Sequence, residues 1–329
     1  MKEQHVQGDL YARRRRVVRP ARGPGAFLTV GSTSKNKRGV ATPKFTIKLW
    51  IDNERPRDLP SPEDIVQICQ DHDKEQANAP LTDFPKQGFP LKSKNGTEIA
   101  WVKHGRDIDL PEAMMQSYLS AKFKGDATLK VCAPAVHLAF EDGSYGYMVM
   151  ELVRGVPCQC SDARLVATAV QAVIDISITS GAPGPFAKGL IRHPFYVDWK
   201  APRPYNSVDD LQNYLNDILL RGNRTERIDF TAEVAAHGLR LCPADFNNGN
   251  FLKDESGNLI VVDFACYSFL PPTFLEHAFR CGDLFARSVR EHLQLPDAMQ
   301  LNELITAQKV LVPYNSNTIG PATTSAERN

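Results

Sequence analysis

The chain of 329 residues has no uninterrupted apolar run of the about 18 residues that a membrane helix needs, so no segment reads as a span. It has only seven cysteines, at 69, 132, 158, 160, 242, 266 and 281, with no repeated pair spacing. Cys158-Gln-Cys160 has no histidine partner motif. A zinc finger and a disulfide framework are therefore both disfavoured, and a reducing compartment, the cytoplasm, is expected. Gly-x-Gly-x-x-Gly does not occur before any candidate nucleotide strand. Gly23-Pro-Gly25 stands far upstream with no strand before it, so a glycine-rich nucleotide loop of that type is discounted.

The net charge of +1 hides an asymmetry. Residues 1–44 carry 11 basic and 2 acidic side chains, whereas the remainder carries 28 and 36. This arm is rich in Gly, Pro, Ser and Thr and shows no sustained periodicity, the composition of a disordered segment. Arg13, Arg14, Arg15 and Arg16 fit a nuclear signal or a nucleic-acid contact, set against the simpler reading of a solvated tail. Glu3 and Asp9, with no apolar core beside them, argue against a secretory signal. The net-acidic remainder would repel a phosphate backbone, which disfavours a nucleic-acid partner for the folded part.

Residues 45–51 alternate, with Phe45, Ile47, Leu49 and Ile51 on one face, and predict a half-buried strand, a candidate for an added sheet edge. Ser61-Pro-Glu-Asp64 predicts a helix start, with Ile65, Ile68 and Cys69 as the apolar face of a short helix. Asn95-Gly96 predicts a tight hairpin over 89–103 whose second strand delivers Lys103. Asp109-Leu-Pro-Glu112 opens a helix with Met115, Tyr118 and Leu119 on one face. Two further strands are expected over 131–140 and 145–153, then a helix over 162–178 capped by Ser161 and another from Ser207, where Leu211, Tyr214, Leu215 and Ile218 share a face. Residues 193–199 form an aromatic loop, read as a pocket wall or, more simply, as core. Closing helices are expected over 274–293 and 297–310, with a frayed tail from Pro313.

The stretch with chemistry in it is 239–265. An apolar run leads into Asp245, and Asn250 follows five residues later. A hairpin turns at 254–258, and the returning strand ends on Asp263. Two carboxylates and an amide at one end of a hairpin suit Mg²⁺, a hard cation that takes oxygen ligands and shares them with phosphates. The plainer alternative is two strand ends and an acidic turn.

The pattern Asp245-x-x-x-x-Asn250, hairpin, Asp263-Phe-Ala resembles the protein-kinase-like superfamily, and within it the aminoglycoside phosphotransferase and choline kinase branch, particularly its divergent fungal members. Pro243-Ala244 stand where that branch carries His-Gly. The resemblance covers roughly residues 60–312. It implies an α+β, two-lobed fold: a small antiparallel sheet lobe over 45–153 and a larger, mainly helical lobe over 154–312, flanked by the arm and a flexible tail over 313–329. It implies that Lys103, paired with Glu112, grips the phosphates of ATP, and that the backbone of Glu151, Leu152 and Val153 forms an adenine hinge. It further implies that Asn250 and Asp263 hold Mg²⁺ and that Asp245 directs the proton of an acceptor hydroxyl. Taken alone, Lys103 is a strand-end lysine and Glu112 a capping acid. Amides near 93–97 are candidates for a phosphate nest. The expected activity is ATP- and Mg²⁺-dependent phosphorylation of a small molecule. The alternative is a catalytically impaired binding module of the same fold, which Pro243-Ala244 favours.

Overall fold

A computed structural model describes residues 45–78, 88–126 and 128–318. The basic arm over 1–44 lies outside the described residues, and from Ile47 onward the chain forms a single unit. Its first strand, β1 (Ile47–Asp52), does lie at a sheet edge, but the expected alternation breaks inside it. The register shifts between Leu49 and Ile51, leaving Leu49 51% exposed while Trp50 and Ile51 both pack on the small core. An extra residue in one strand reverses which side chains face inward, and this overrides the period of two.

Helix α1 (Pro62–Asn78) begins as predicted, the Asp64 N–H donating to Ser61 Oγ at 3.2 Å, but it runs for 17 residues and is not short. Ile65, Val66 and Cys69 form its buried face, with Ile68 left at 36% exposure. Strands β2 (Gly88–Lys92) and β3 (Glu98–Gly105) form the Asn95-Gly96 hairpin. Helix α2 (Leu110–Gly125) is capped by Asp109, whose Oδ1 accepts from the Glu112 N–H at 3.1 Å.

The single strand expected over 131–140 is two. Strand β4 (Val131–Cys132) is separated from β5 (Val136–Asp142) by Ala133-Pro134-Ala135. Proline offers no N–H to a ladder, so the chain leaves one sheet there and enters another. Strand β6 (Tyr145–Met150) returns beside β5, completing a five-stranded antiparallel sheet in the order β1-β5-β6-β3-β2. Met148 and Met150 lie with Ala113 of α2 on one face. On the other face Phe89, His104, Tyr147 and Phe140 form a run of neighbouring rings across four strands.

Beyond β7 (Val156–Pro157) the chain is mainly helical, giving an α+β molecule of two lobes. Helix α3 (Ala163–Ile174) is shorter than the span 162–178, because Ser177–Ile178 forms strand β8. β-Branched Ile176 and Ile178 suit a ladder, and the Leu241 N–H donates to Ile176 C=O at 2.9 Å. The start is corrected too: Ser161 is not the cap, and the Gln159 N–H instead donates to Asp162 Oδ2 at 2.9 Å. Helix α4 (Val208–Arg221) starts on Ser207 as expected. Helix α5 (Thr231–His237) was not anticipated. Its Glu233 is fully buried and accepts from the Thr273 N–H at 2.5 Å, the Thr273 hydroxyl at 2.6 Å and the Met299 N–H at 3.2 Å.

Strand β9 (Leu239–Pro243) carries the candidate catalytic segment, and β10 (Phe251–Lys253) and β11 (Leu259–Val261) form the hairpin that follows. Strand β4 runs parallel to β11, so the excursion at Pro134 serves to brace this hairpin. Strand β12 (Tyr267–Leu270) pairs antiparallel with β9. The helix expected over 274–293 splits into α6 (Pro272–Cys281) and α7 (Leu284–Arg290). At Gly282 a Cβ would stand 2.3 Å from the Ala286 Cβ, and Asp283 caps the second helix. Helix α8 (Leu301–Leu311) starts four residues later than the expected 297.

The frayed tail expected from Pro313 does not hold over 313–318. Asn317 Oδ1 accepts from the Val197 N–H at 2.7 Å, and its Nδ2 donates to Lys200 C=O at 2.7 Å. The aromatic loop is core: Phe195 and Tyr196 are buried, and neither lines the cavity described next.

Candidate active site

Strand β9 is apolar because it is interior; Leu239, Leu241 and Cys242 are all buried. The chain then turns polar, and the Ala244 N–H donates to Cys266 C=O at 3.0 Å while Pro243 pairs with Tyr267. The segment before Asp245 is thus tied by main chain to the segment after Asp263. Asn247 folds the next turn by accepting the Gly249 N–H at 2.8 Å.

Asn250 is oriented from both ends. Its Nδ2 donates to Asp245 C=O at 3.1 Å, and its own C=O accepts the Val262 N–H at 2.9 Å. With the amide nitrogen engaged, Oδ1 is the atom left for a cation. Asp263 sits at φ +63°, a left-handed conformation that non-glycine residues seldom adopt and that tends to mark functional sites. Its Oδ1 lies 3.1 Å from Lys103 Nζ.

Lys103 Nζ also lies 2.5 Å from Glu112 Oε1, so one ammonium joins β3, α2 and the loop after β11. The lysine side chain is 11% exposed and the glutamate fully buried. Burial disfavours the Lys103 ammonium, but Glu112 and Asp263 outweigh it and raise its pKa above the ordinary lysine value. Burial likewise pushes the Glu112 carboxyl up, with Lys103 pulling it back. Asp109, besides capping α2, accepts from Arg192 at 2.6 Å. Arg192 comes from the larger lobe and was not anticipated, since 83 residues separate it from Asp109 and no motif surrounds Arg192.

Lys103, Glu112, Glu151, Leu152, Val153, Asp245, Asn250 and Asp263 all line one cavity of about 700 Å³. Trp101, Gln116 and Asn247 also line it and were not singled out; only the Asn-Asn-Gly-Asn run hinted at Asn247. Gly88 stands at the wall because a Cβ there would meet Val102 C=O at 2.4 Å. At the proposed hinge the Glu151 N–H is already donated to Ala135 C=O at 2.8 Å, which leaves the Glu151 carbonyl and the backbone of Leu152 and Val153 to meet a base.

The turn over 93–97 is not a phosphate nest. Ser93, Gly96 and Thr97 spend their N–H groups on Thr97 C=O, Ser93 C=O and Asn95 Oδ1, and none of the five lines the cavity. Burial, with the nearby Asp245 and Asp263, pushes the Cys266 thiol above the ordinary cysteine pKa. A wider groove of about 1360 Å³ beside Lys122, Arg164 and Gln171 contains none of these acids.

No protein-family model matches the sequence, and no curated protein matches it. Among solved structures the chain is similar to a macrolide 2'-phosphotransferase from Brachybacterium faecium, at 14% identity and TM-score 0.40, over 77% of this chain and 92% of that one. It is similar to a choline kinase from Streptococcus pneumoniae, at 12% identity and TM-score 0.38, over 78% and 94%. An aminoglycoside phosphotransferase from Streptomyces rimosus aligns at 13% identity and TM-score 0.38, over 75% and 98%. At these scores the roles of residues rest on this chain's own geometry. Among the described residues no helix is long and apolar enough to cross a membrane.

Proposed function

We propose that the protein is an ATP- and Mg²⁺-dependent phosphotransferase acting on a hydroxyl of a small molecule. The observation that carries this reading is the Lys103 ammonium held between Glu112 and Asp263 in the same cavity as Asp245 and Asn250. Phosphoryl transfer leaves the protein little covalent chemistry, so positioning and charge neutralisation suffice. Lys103 steadies the phosphates, with Glu112 fixing its ammonium. The backbone of Glu151, Leu152 and Val153 receives the adenine. The oxygens of Asn250 and Asp263 suit Mg²⁺, which when bound neutralises phosphate charge. Asp245 accepts the proton of the acceptor hydroxyl.

A small acceptor fits because the chain after Asp263 enters β12 and α6 within a few residues, with no intervening segment to seat a peptide. We assign 45–153 to the nucleotide lobe and 154–312 to the catalytic lobe. The cytoplasm is the proposed location, on the odd cysteine set with no repeated pair spacing.

The second reading is a catalytically impaired module of the same fold. Pro243-Ala244 favour it, as does the direct Lys103–Asp263 contact, which engages an oxygen that a metal would use. A screen of hydroxyl-bearing metabolites for acceptor-dependent ADP release separates the two. Release that is abolished in Asp245→Asn supports the enzyme. Tight Mg²⁺–ATP binding with no release against any acceptor supports the binding module.

A further inference from the structure

Lys103 faces the cavity, and its neighbour His104 therefore faces the opposite side of the sheet, under helix α1. There His104 meets two consecutive α1 residues, His72 and Asp73. One ligand atom from each of the three lies within 4.8 Å of the others. His104 Nε2 and Asp73 Oδ1 are 3.6 Å apart, too long for a good hydrogen bond. His72 Nδ1 is buried with no hydrogen-bond partner among the described residues. A buried, unpaired ring nitrogen is costly and asks for an explanation.

The rings are also held in place. His72 stacks on Phe89 with centroids 3.9 Å apart, and His104 stacks on Tyr147 at 6.2 Å. Stacking alone would account for two imidazoles here, but not for an aspartate set beside both or for the unpartnered nitrogen.

We propose that His72, Asp73 and His104 form a binding site for a transition-metal dication, Zn²⁺ by its ligand chemistry. Two imidazoles and one carboxylate suit Zn²⁺, whereas Mg²⁺ and Ca²⁺ take all-oxygen sets. Zinc bonds of about 2.0–2.2 Å in a tetrahedron set neighbouring ligand atoms about 3.3 Å apart. His104 and Asp73, at 3.6 Å, are close to that spacing, and no pair of the three exceeds 4.8 Å. Three protein ligands leave a fourth position for water. The ion would join α1 to the strand that carries Lys103, from the side away from the cavity. This site is independent of the proposed phosphotransfer.

The test uses the full, untagged chain, stripped with chelator and held in Mg²⁺ and a non-hydrolysable ATP analogue so that the cavity's oxygens are occupied. Zn²⁺ is then titrated, and bound zinc after desalting and the melting temperature are read. The expected result is one zinc per chain and a rise of roughly 5 °C at 100-fold excess over the dissociation constant. Asp73→Ala removes a side chain that is 55% exposed and leaves the fold undisturbed, so it should lose both responses even if His104→Gln proves difficult to fold. Wild type that holds no zinc and shows no shift overturns the proposal. So does an Asp73→Ala and His104→Gln pair of variants that each bind zinc as wild type does.

Discussion

Lys103 Nζ stands 3.1 Å from Asp263 Oδ1, a contact between residues 160 apart in sequence. It ties an interior strand of the small sheet to the loop that follows β11. With Glu112 on its other side at 2.5 Å, the lysine is a three-way junction between lobe, helix and loop. A junction of this kind has testable couplings.

Replacing Lys103 leaves Glu112 buried without its cation, a change that typically costs 3–5 kcal/mol, or about that order, when one partner of a buried pair is removed. Lys103→Met should therefore destabilise strongly, and Lys103→Met with Glu112→Leu should recover a large part of the loss. A double-mutant cycle from urea unfolding reads the coupling directly. Strictly additive losses would show that the two residues do not act together.

Glu233 anchors three donors around α6 and α8. Glu233→Ala strands the buried Thr273 N–H and hydroxyl in the interior and should cost about 3 kcal/mol by chemical denaturation. Glu233→Gln keeps one acceptor and should cost less. Equal stability of Glu233→Ala and wild type would remove this network from the account.

Two histidines set an acid limit. Burial, with His277 adding to it, holds His193 well below the ordinary imidazole pKa, and burial holds His277 down to about 4. Both stay neutral in the fold, while in the unfolded chain they take up protons near pH 6.5. Between about pH 6.5 and 4 the unfolded state therefore binds more protons, and stability falls as the pH falls, by up to about 1.4 kcal/mol per pH unit for each histidine. Above pH 6.5 their contribution is flat. Urea unfolding from pH 7.5 to 5 should show this slope, and His277→Phe should lessen it. An unchanged slope in the variant would contradict the assignment.

Asn317 distinguishes a clamp from a loose end. Asn317→Ala removes hydrogen bonds to the backbone of Val197 and Lys200 and should cost about 1–2 kcal/mol. Thr318→Ala, at an exposed neighbour, should stay within about 0.5 kcal/mol of wild type. The two melting curves decide it.

The site was legible wherever its residues sit at fixed spacings along the chain. Asp245, Asn250 and Asp263 are linked by one loop and one hairpin, and Glu112 follows Lys103 at the distance a strand-to-helix turn requires. Short-range signals also held for the caps at Ser61, Asp109 and Ser207. What stayed hidden was set by partners remote in sequence. Nothing near Arg192 announces Asp109, and nothing near Glu233 announces Thr273. The bulge at Trp50 and the departure of β4 at Pro134 depend on which strand lies alongside, and periodicity carries no information on that.

The central claim is that Asp263 and Asn250 present oxygens for Mg²⁺–ATP while Asp245 serves the acceptor. Thermal unfolding with and without Mg²⁺–ATP tests it most directly. At 100 times the dissociation constant, binding contributes about 2.7 kcal/mol, and wild type should melt roughly 5 °C higher. Asp263→Asn should lose most of that rise, and Asp245→Asn should keep it while losing turnover. A wild type with no Mg²⁺-dependent rise, or an Asp263→Asn variant that retains all of it, would contradict the account.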